Sequence, residues 1–262
     1  MDLLITKLIV TPSLMWFVSY VSKRWGSIIG GLLSGMPLTS APISIYLAAE
    51  QGTSFARAAA ISSISGLTAV TFFYLIYAIA SRFVTLLGTA AMAFIGFALS
   101  IFELKNISNQ HILLAITNLI LVTFVLILCR RRQAGESFYK TPWWDVPARM
   151  VSATILVLAV TITAPIAGPV ISGILAPMPV IAWPLVLFIH SRQGRTQAID
   201  VVRGTVQGSL GVLVFYLLVG ALLGAVHPTL AYFIAVCGAV GVTAPCLWWN
   251  ITSRRETNGG HP

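Results

Sequence analysis

Charge is scarce in this chain, and acidic charge scarcer still. Only 9% of its 262 residues are charged and only seven are Asp or Glu, against roughly 25% charged residues in a soluble domain. That deficit excludes a cytosolic enzyme and a solvated, disordered chain. The three cysteines, Cys129, Cys237 and Cys246, form no CxxC pair, which excludes a disulfide scaffold and leaves no thiolate cluster for a metal. HExxH, GxSxG and aspartate-rich motifs are missing too, so neither zinc hydrolysis, serine acyl transfer nor magnesium-assisted lipid diphosphate chemistry has its residues. No enzymatic activity and no cofactor are expected. The first apolar run has no basic residues before it; Lys23 and Arg24 follow it, so it reads as a first span and not as a secretory leader.

What the chain has instead is apolar length, with 57% hydrophobic residues. Runs of about 20 apolar residues, enough to cross roughly 30 Å of hydrocarbon, predict nine spans. They lie near 3–22, 27–49, 56–80, 83–102, 111–129, 147–165, 168–190, 199–224 and 229–249. The expected fold class is therefore all-α integral membrane. A net charge of +9 would suggest nucleic acid in a soluble chain, but here the basic residues lie between spans and set orientation, so no nucleic-acid partner is expected. With the N-terminus outside and the C-terminus cytoplasmic, thirteen of the sixteen Lys and Arg fall inside, leaving Lys7, Arg57 and Lys105 outside. Trp143, Trp144, Trp248 and Trp249 fall at the cytoplasmic interface, which indole rings favour. The basic loop around Arg130, Arg131 and Arg132 suits anionic head groups of the bilayer. A bacterial inner membrane fits this pattern.

Sliding the chain against itself by 142 positions aligns GSIIGGLLSGMPLTSAP, from Gly26, with GPVISGILAPMPVIAWP, from Gly168, without a gap. From Gly26 to Ile79, fifteen of fifty-four pairs are identical, including Pro37 with Pro179, Pro42 with Pro184, Gln51 and Gly52 with Gln193 and Gly194, and Tyr74 with Tyr216. Equivalent points are five spans apart, an odd number, so the copies are expected to be inverted in the membrane. The expected organisation is repeat 1 over 1–104 (four spans), a connector span and basic loop over 105–145, repeat 2 over 146–250 (four spans), and a cytoplasmic tail over 251–262.

Matched Gly and Pro inside apolar stretches break helices and free backbone groups that cannot face lipid. They point to a cavity where the two copies meet. Ser34, Pro37, Thr39 and Ser40 flank the first break, and Pro179 and Trp183 the second; Ser63, Ser65 and Gln207 in the neighbouring spans complete a candidate substrate-binding set. One copy is polar and the other apolar and aromatic, which suits a solute with a polar head and an apolar body. The seven acidic residues all fall at span ends or in loops, so no mid-membrane carboxylate marks a proton relay. Helix starts exposed at a break favour an anionic or neutral solute over a cation. The bland reading of the glycines is close helix packing, and of Gly52 and Gly194 helix C-capping.

On the matched breaks of Pro37 and Pro42 with Pro179 and Pro184, the chain resembles, in architecture only, the inverted-repeat secondary transporters with discontinuous helices. The resemblance implies alternating access to a small-molecule substrate near the midplane. Sodium and the proton are both open as coupling ion, and a homodimer is compatible with the sequence. A channel, a lipid scramblase or a membrane subunit of a larger complex is the competing expectation.

Overall fold

The computed structural model describes residues 2–25, 32–33, 36–108, 110–129, 144–178 and 182–258. Among these the chain folds into nine α-helices and no strand. They are α1 (Asp2–Trp25), α2 (Ser40–Gln51), α3 (Thr53–Ala80), α4 (Leu86–Leu104), α5 (His111–Leu128), α6 (Asp145–Leu175), α7 (Ala182–Gln193), α8 (Arg195–Leu222) and α9 (Pro228–Asn258). Six of them, α3, α4, α5, α6, α8 and α9, are long and apolar enough to cross a membrane. Large apolar side chains such as Phe83, Leu87 and Ile166 stand outward at 82%, 82% and 93% exposure. In water such a surface would aggregate; against lipid tails it costs nothing. The protein is all-helical and membrane-embedded.

Helix boundaries recur at the spacing of the sequence repeat. Helices α2, α3 and α4 begin at Ser40, Thr53 and Leu86, and α7, α8 and α9 begin 142 residues later, at Ala182, Arg195 and Pro228. The twelve-residue α2 and α7 and the 28-residue α3 and α8 also match in length. The cause at one joint is glycine. Gly52 and Gly194 have φ of 89° and 87°, a region that L side chains avoid, and each turns the chain sharply from a short helix into a long one. Their N–H groups bond to Ala48 O and His190 O at 3.2 Å, so both act as the C-caps that the sequence suggested.

Two expected spans are divided. At about 18 Å, α2 and α7 are too short to cross alone. The seventh span is split by a turn at Ala176 and Pro177, and its first part, 169–175, continues α6 across a kink at Gly168. Span 6 and the start of span 7 are separate helical segments, 145–167 and 169–175, because Gly168 has non-helical φ and ψ of 76° and 172° and Pro169 can open a new helical segment without a donor. Before α2 a tight turn runs from Met36 to Thr39, with Ala41 N bonded to Pro37 O at 2.9 Å.

The most enclosed helices, α3 and α8, cross at the centre. Arg57, near the start of α3, donates from Nε to Gly220 O near the end of α8 at 2.9 Å. Arg195, which opens α8, reaches Ser81 Oγ just beyond α3 at 3.0 Å. The two helices therefore run antiparallel. Around them lie two buried clusters, one holding Ala41, Ile43 and Leu47 of α2 with Tyr216, the other Ala182, Leu185 and Ile189 of α7 with Tyr74. Helix α5 is pinned to α3 by Asn118 Nδ2, which donates to Thr71 Oγ1 at 2.9 Å, and to α8 by Arg203, whose Nη1 caps the α5 end at Leu126 O and Cys129 O at 3.2 and 2.9 Å.

Candidate functional site

The break before α2 is assembled from three elements. Pro37 and Thr39 are buried in the turn, and Ser40, the first residue of α2, is buried beside them. Ser63 of α3 is buried and donates to Ala59 O in its own helix and to Gly173 O of α6 at 2.8 and 2.9 Å. That reach across helices exists because α3 and α6 touch backbone to backbone. A Cβ at Gly173 would stand 2.2 Å from Ala59 O, and one at Gly66 would stand 2.1 Å from Ile174 O. These two glycines are packing residues, as the bland reading had it.

From α8, Tyr216 brings its phenol beside the Ser40 and Ser63 hydroxyls. It makes no well-directed hydrogen bond there, and its oxygen is buried without a partner among the described residues. The matched Tyr74 of α3 is in the same condition: 1% exposed, its hydroxyl unpartnered. Ser65 Oγ and Ser172 Oγ are likewise buried and unpartnered. A buried polar atom left unpaired costs about 1–3 kcal/mol, so each such atom calls for an explanation. Both tyrosines belong to the aligned Phe-Tyr-Leu triplets, but nothing in the sequence marked them as site residues. The available signal was a polar-tipped ring repeated in a wholly apolar setting.

The candidate residues do not all converge. Ser40 and Ser63 share one locus with the Pro37–Thr39 turn. Ser65, two positions from Ser63 on the same helix, faces another way, since residues i and i+2 do not share a helix face. Trp183 of α7 lies near Phe73, ten residues and about 15 Å further along α3 than Ser63. Its ring meets Phe73, Phe94 and Tyr77 edge-on, at centroid distances of 4.6, 4.9 and 5.8 Å. Tyr77 is held in turn by His190 Nδ1 at 2.6 Å. Gln207, which matches Ser65, is half-buried on α8. Ser34 and Pro179 lie outside the described residues. The break in the first copy is thus bordered by hydroxyls, and α7 adds an aromatic cluster. No group of three His, Cys, Asp or Glu able to hold a metal is found among the described residues.

The most buried charge among the described residues is elsewhere. Lys7 of α1 is 3% exposed, and its ammonium donates to Glu50 Oε1 at 2.5 Å and Thr161 Oγ1 at 2.8 Å. Glu50 does stand at a span end, as the sequence indicated, but in an ion pair that joins α1, α2 and α6. Comparison with protein-family models, curated proteins and solved structures finds no match to the chain.

Proposed function

We propose that this protein is a secondary transporter that moves a small organic solute, anionic or neutral, by alternating access between two inverted four-helix repeats. The observation that carries the reading is the pair of buried phenols at matched positions, Tyr74, whose hydroxyl meets no partner among the described residues, and Tyr216, beside the Ser40 and Ser63 hydroxyls, on helices that run antiparallel. An in-plane two-fold axis between the repeats would relate two such helices in this way. The recurrence of helix starts at one fixed spacing supports the same symmetry. Hydroxyls of Ser40 and Tyr216 beside the first turn of α2 are donors for an oxygen-rich head group, Ser63 Oγ, whose proton goes to Ala59 O and Gly173 O, offers only acceptor capacity there, and the Trp183 cluster suits an apolar body. The Lys and Arg distribution supports an N-terminus outside and a C-terminus in the cytoplasm of a bacterium.

The test is thermal unfolding of purified full-length protein across a panel of small organic acids, amino acids, sugars and nucleosides. A solute that binds only the folded state raises stability as RT ln(1 + [L]/Kd), about 2.7 kcal/mol at one hundred times Kd. A selective shift that Tyr216→Phe abolishes is expected. A shift that survives Tyr216→Phe and Ser63→Ala removes the site from this locus. No shift with any solute counts against the carrier and for a channel, a scramblase or a subunit of a larger complex.

A further inference from the structure

Between Ala58 and Ala80 the enclosed helix α3 exposes only Phe72 and Ile79, at 37% and 43%. Seven residues apart, they lie on one stripe of the helix. On one side of that stripe α5 meets α3: Thr68 Oγ1 reaches Leu114 O at 3.4 Å, and Asn118 Nδ2 donates to Thr71 Oγ1. On the other side α4 meets it, with Phe94 and Phe97 edge-on to Phe73 and Gly96 lying against Ile76. Both α4 and α5 pack on α3 far more than on each other. They leave an apolar groove open to lipid, floored by Phe72 and Ile79 and walled by two helices.

Three guanidiniums gather where α3 and α5 end. Arg82, three residues beyond Ile79 and exposed, donates from Nη2 to Leu128 O at 3.4 Å. Arg203 of α8 bonds to Leu126 O and Cys129 O of the same helix end, and Arg195 holds Ser81, the residue before Arg82. All three, with the carboxylate of Asp200, stand near the Cys129 sulfur. The last carbonyls of α5 carry about half a negative charge and Asp200 carries one, so the three guanidiniums leave an excess of about one and a half positive charges. The depth of the groove is informative as well. From Phe72 to Arg82 is ten residues, about 15 Å of helix, which matches one leaflet of a hydrocarbon core about 30 Å thick. A small anion would need the guanidiniums alone and a neutral lipid the groove alone; a ligand that uses both has an anionic head and an apolar chain.

We propose that this groove binds an anionic phospholipid: its phosphate rests on Arg82, backed by Arg195 and Arg203, and an acyl chain lies along Ile79 and Phe72 between α4 and α5. In the orientation proposed above this is the cytoplasmic leaflet, where anionic head groups meet clustered Lys and Arg. The site does not depend on the carrier reading, and neither does its test.

Full-length protein, delipidated in a neutral detergent, is titrated with phosphatidylglycerol or with phosphatidylcholine of the same acyl chains, and bound lipid is read by native mass spectrometry. Phosphatidylglycerol is expected to bind about tenfold more tightly, the factor for an excess of one and a half charges at about 1 kcal/mol each. Arg82→Gln should weaken phosphatidylglycerol about fivefold and leave phosphatidylcholine unchanged, while Arg82→Lys, which keeps the charge, should retain most of the preference. Excess glycerol 3-phosphate or inorganic phosphate should not displace the lipid, because a head group without a chain gains nothing from the groove. Equal binding of the two lipids overturns the proposal, as does an Arg82→Gln protein with its preference intact. Displacement by inorganic phosphate overturns it too, in favour of a small-anion site. The comparison of the two lipids needs no variant, so it stands where a variant does not fold.

Discussion

Replacing Gly173 by alanine tests the backbone contact on which the first break rests. The new Cβ would lie 2.2 Å from Ala59 O and 2.9 Å from Ala59 C. Both are main-chain atoms of a packed helix, so the 169–175 segment of α6 and α3 must part by roughly 1 Å to restore ordinary contact. Overpacking of this kind costs about 1–3 kcal/mol. The parting also stretches the bond from Ser63 Oγ to Gly173 O, now 2.9 Å, a loss of about 0.5–1.5 kcal/mol. Against this, alanine gains about 1 kcal/mol in helix propensity. The net expectation is a loss of about 0.5–3.5 kcal/mol. Gly241→Ala is the internal control: it is helical, and its Cβ would meet nothing within 4 Å, so only the propensity gain applies and stability should hold or rise. Reversible unfolding in mixed micelles reads both. Equal effects of the two substitutions, within about 0.5 kcal/mol, would refute the close approach of α3 and α6.

Removing the guanidinium that caps α5, as in Arg203→Met, should destabilise the protein by about 1.5–3 kcal/mol, with Arg203→Lys recovering part of the loss in the same unfolding assay. Cys129 is buried at the end of α5. It should therefore react with a soluble maleimide at least tenfold more slowly than an ordinary exposed cysteine; labelling at an ordinary rate would contradict its burial. In a transport assay, Pro37→Ala or Pro179→Ala should abolish flux while leaving membrane insertion intact, and Thr39→Val with Ser40→Ala should weaken apparent affinity. Unchanged transport in both proline variants would detach function from the breaks.

Much of the architecture was legible because Gly and Pro punctuate this chain. Apolar run lengths located the starts of the long helices to within four residues, and the Gln-Gly pairs marked the corners at Gly52 and Gly194, where a positive φ is needed. The division of span 7 was legible as a break at Pro177 and Pro179. Its start was legible as well, since Gly168 followed by Pro169 reads as a boundary and the backbone at Gly168 is non-helical. Pairings across the fold were out of reach. Lys7 and Glu50 each looked like ordinary span-end charges, and only the packing of α1, α2 and α6 shows that together they form a buried pair. Tyr216 meets Ser40 and Ser63 because α8 crosses α3 antiparallel, which follows from tertiary packing and not from periodicity. Ser65 was grouped with Ser63 by proximity in sequence, and helix geometry separates them.

Alternating access is tested most directly by counterflow in proteoliposomes, using the solute that stability shifts identify. Vesicles are loaded with excess unlabelled solute and diluted into a trace of labelled solute. A carrier working between two inverted repeats predicts transient accumulation of label above its equilibrium level, saturable with external solute and lost in Tyr216→Phe. Label that rises only to equilibrium, at a rate linear in concentration and indifferent to the internal load, would contradict the account and leave a channel in its place.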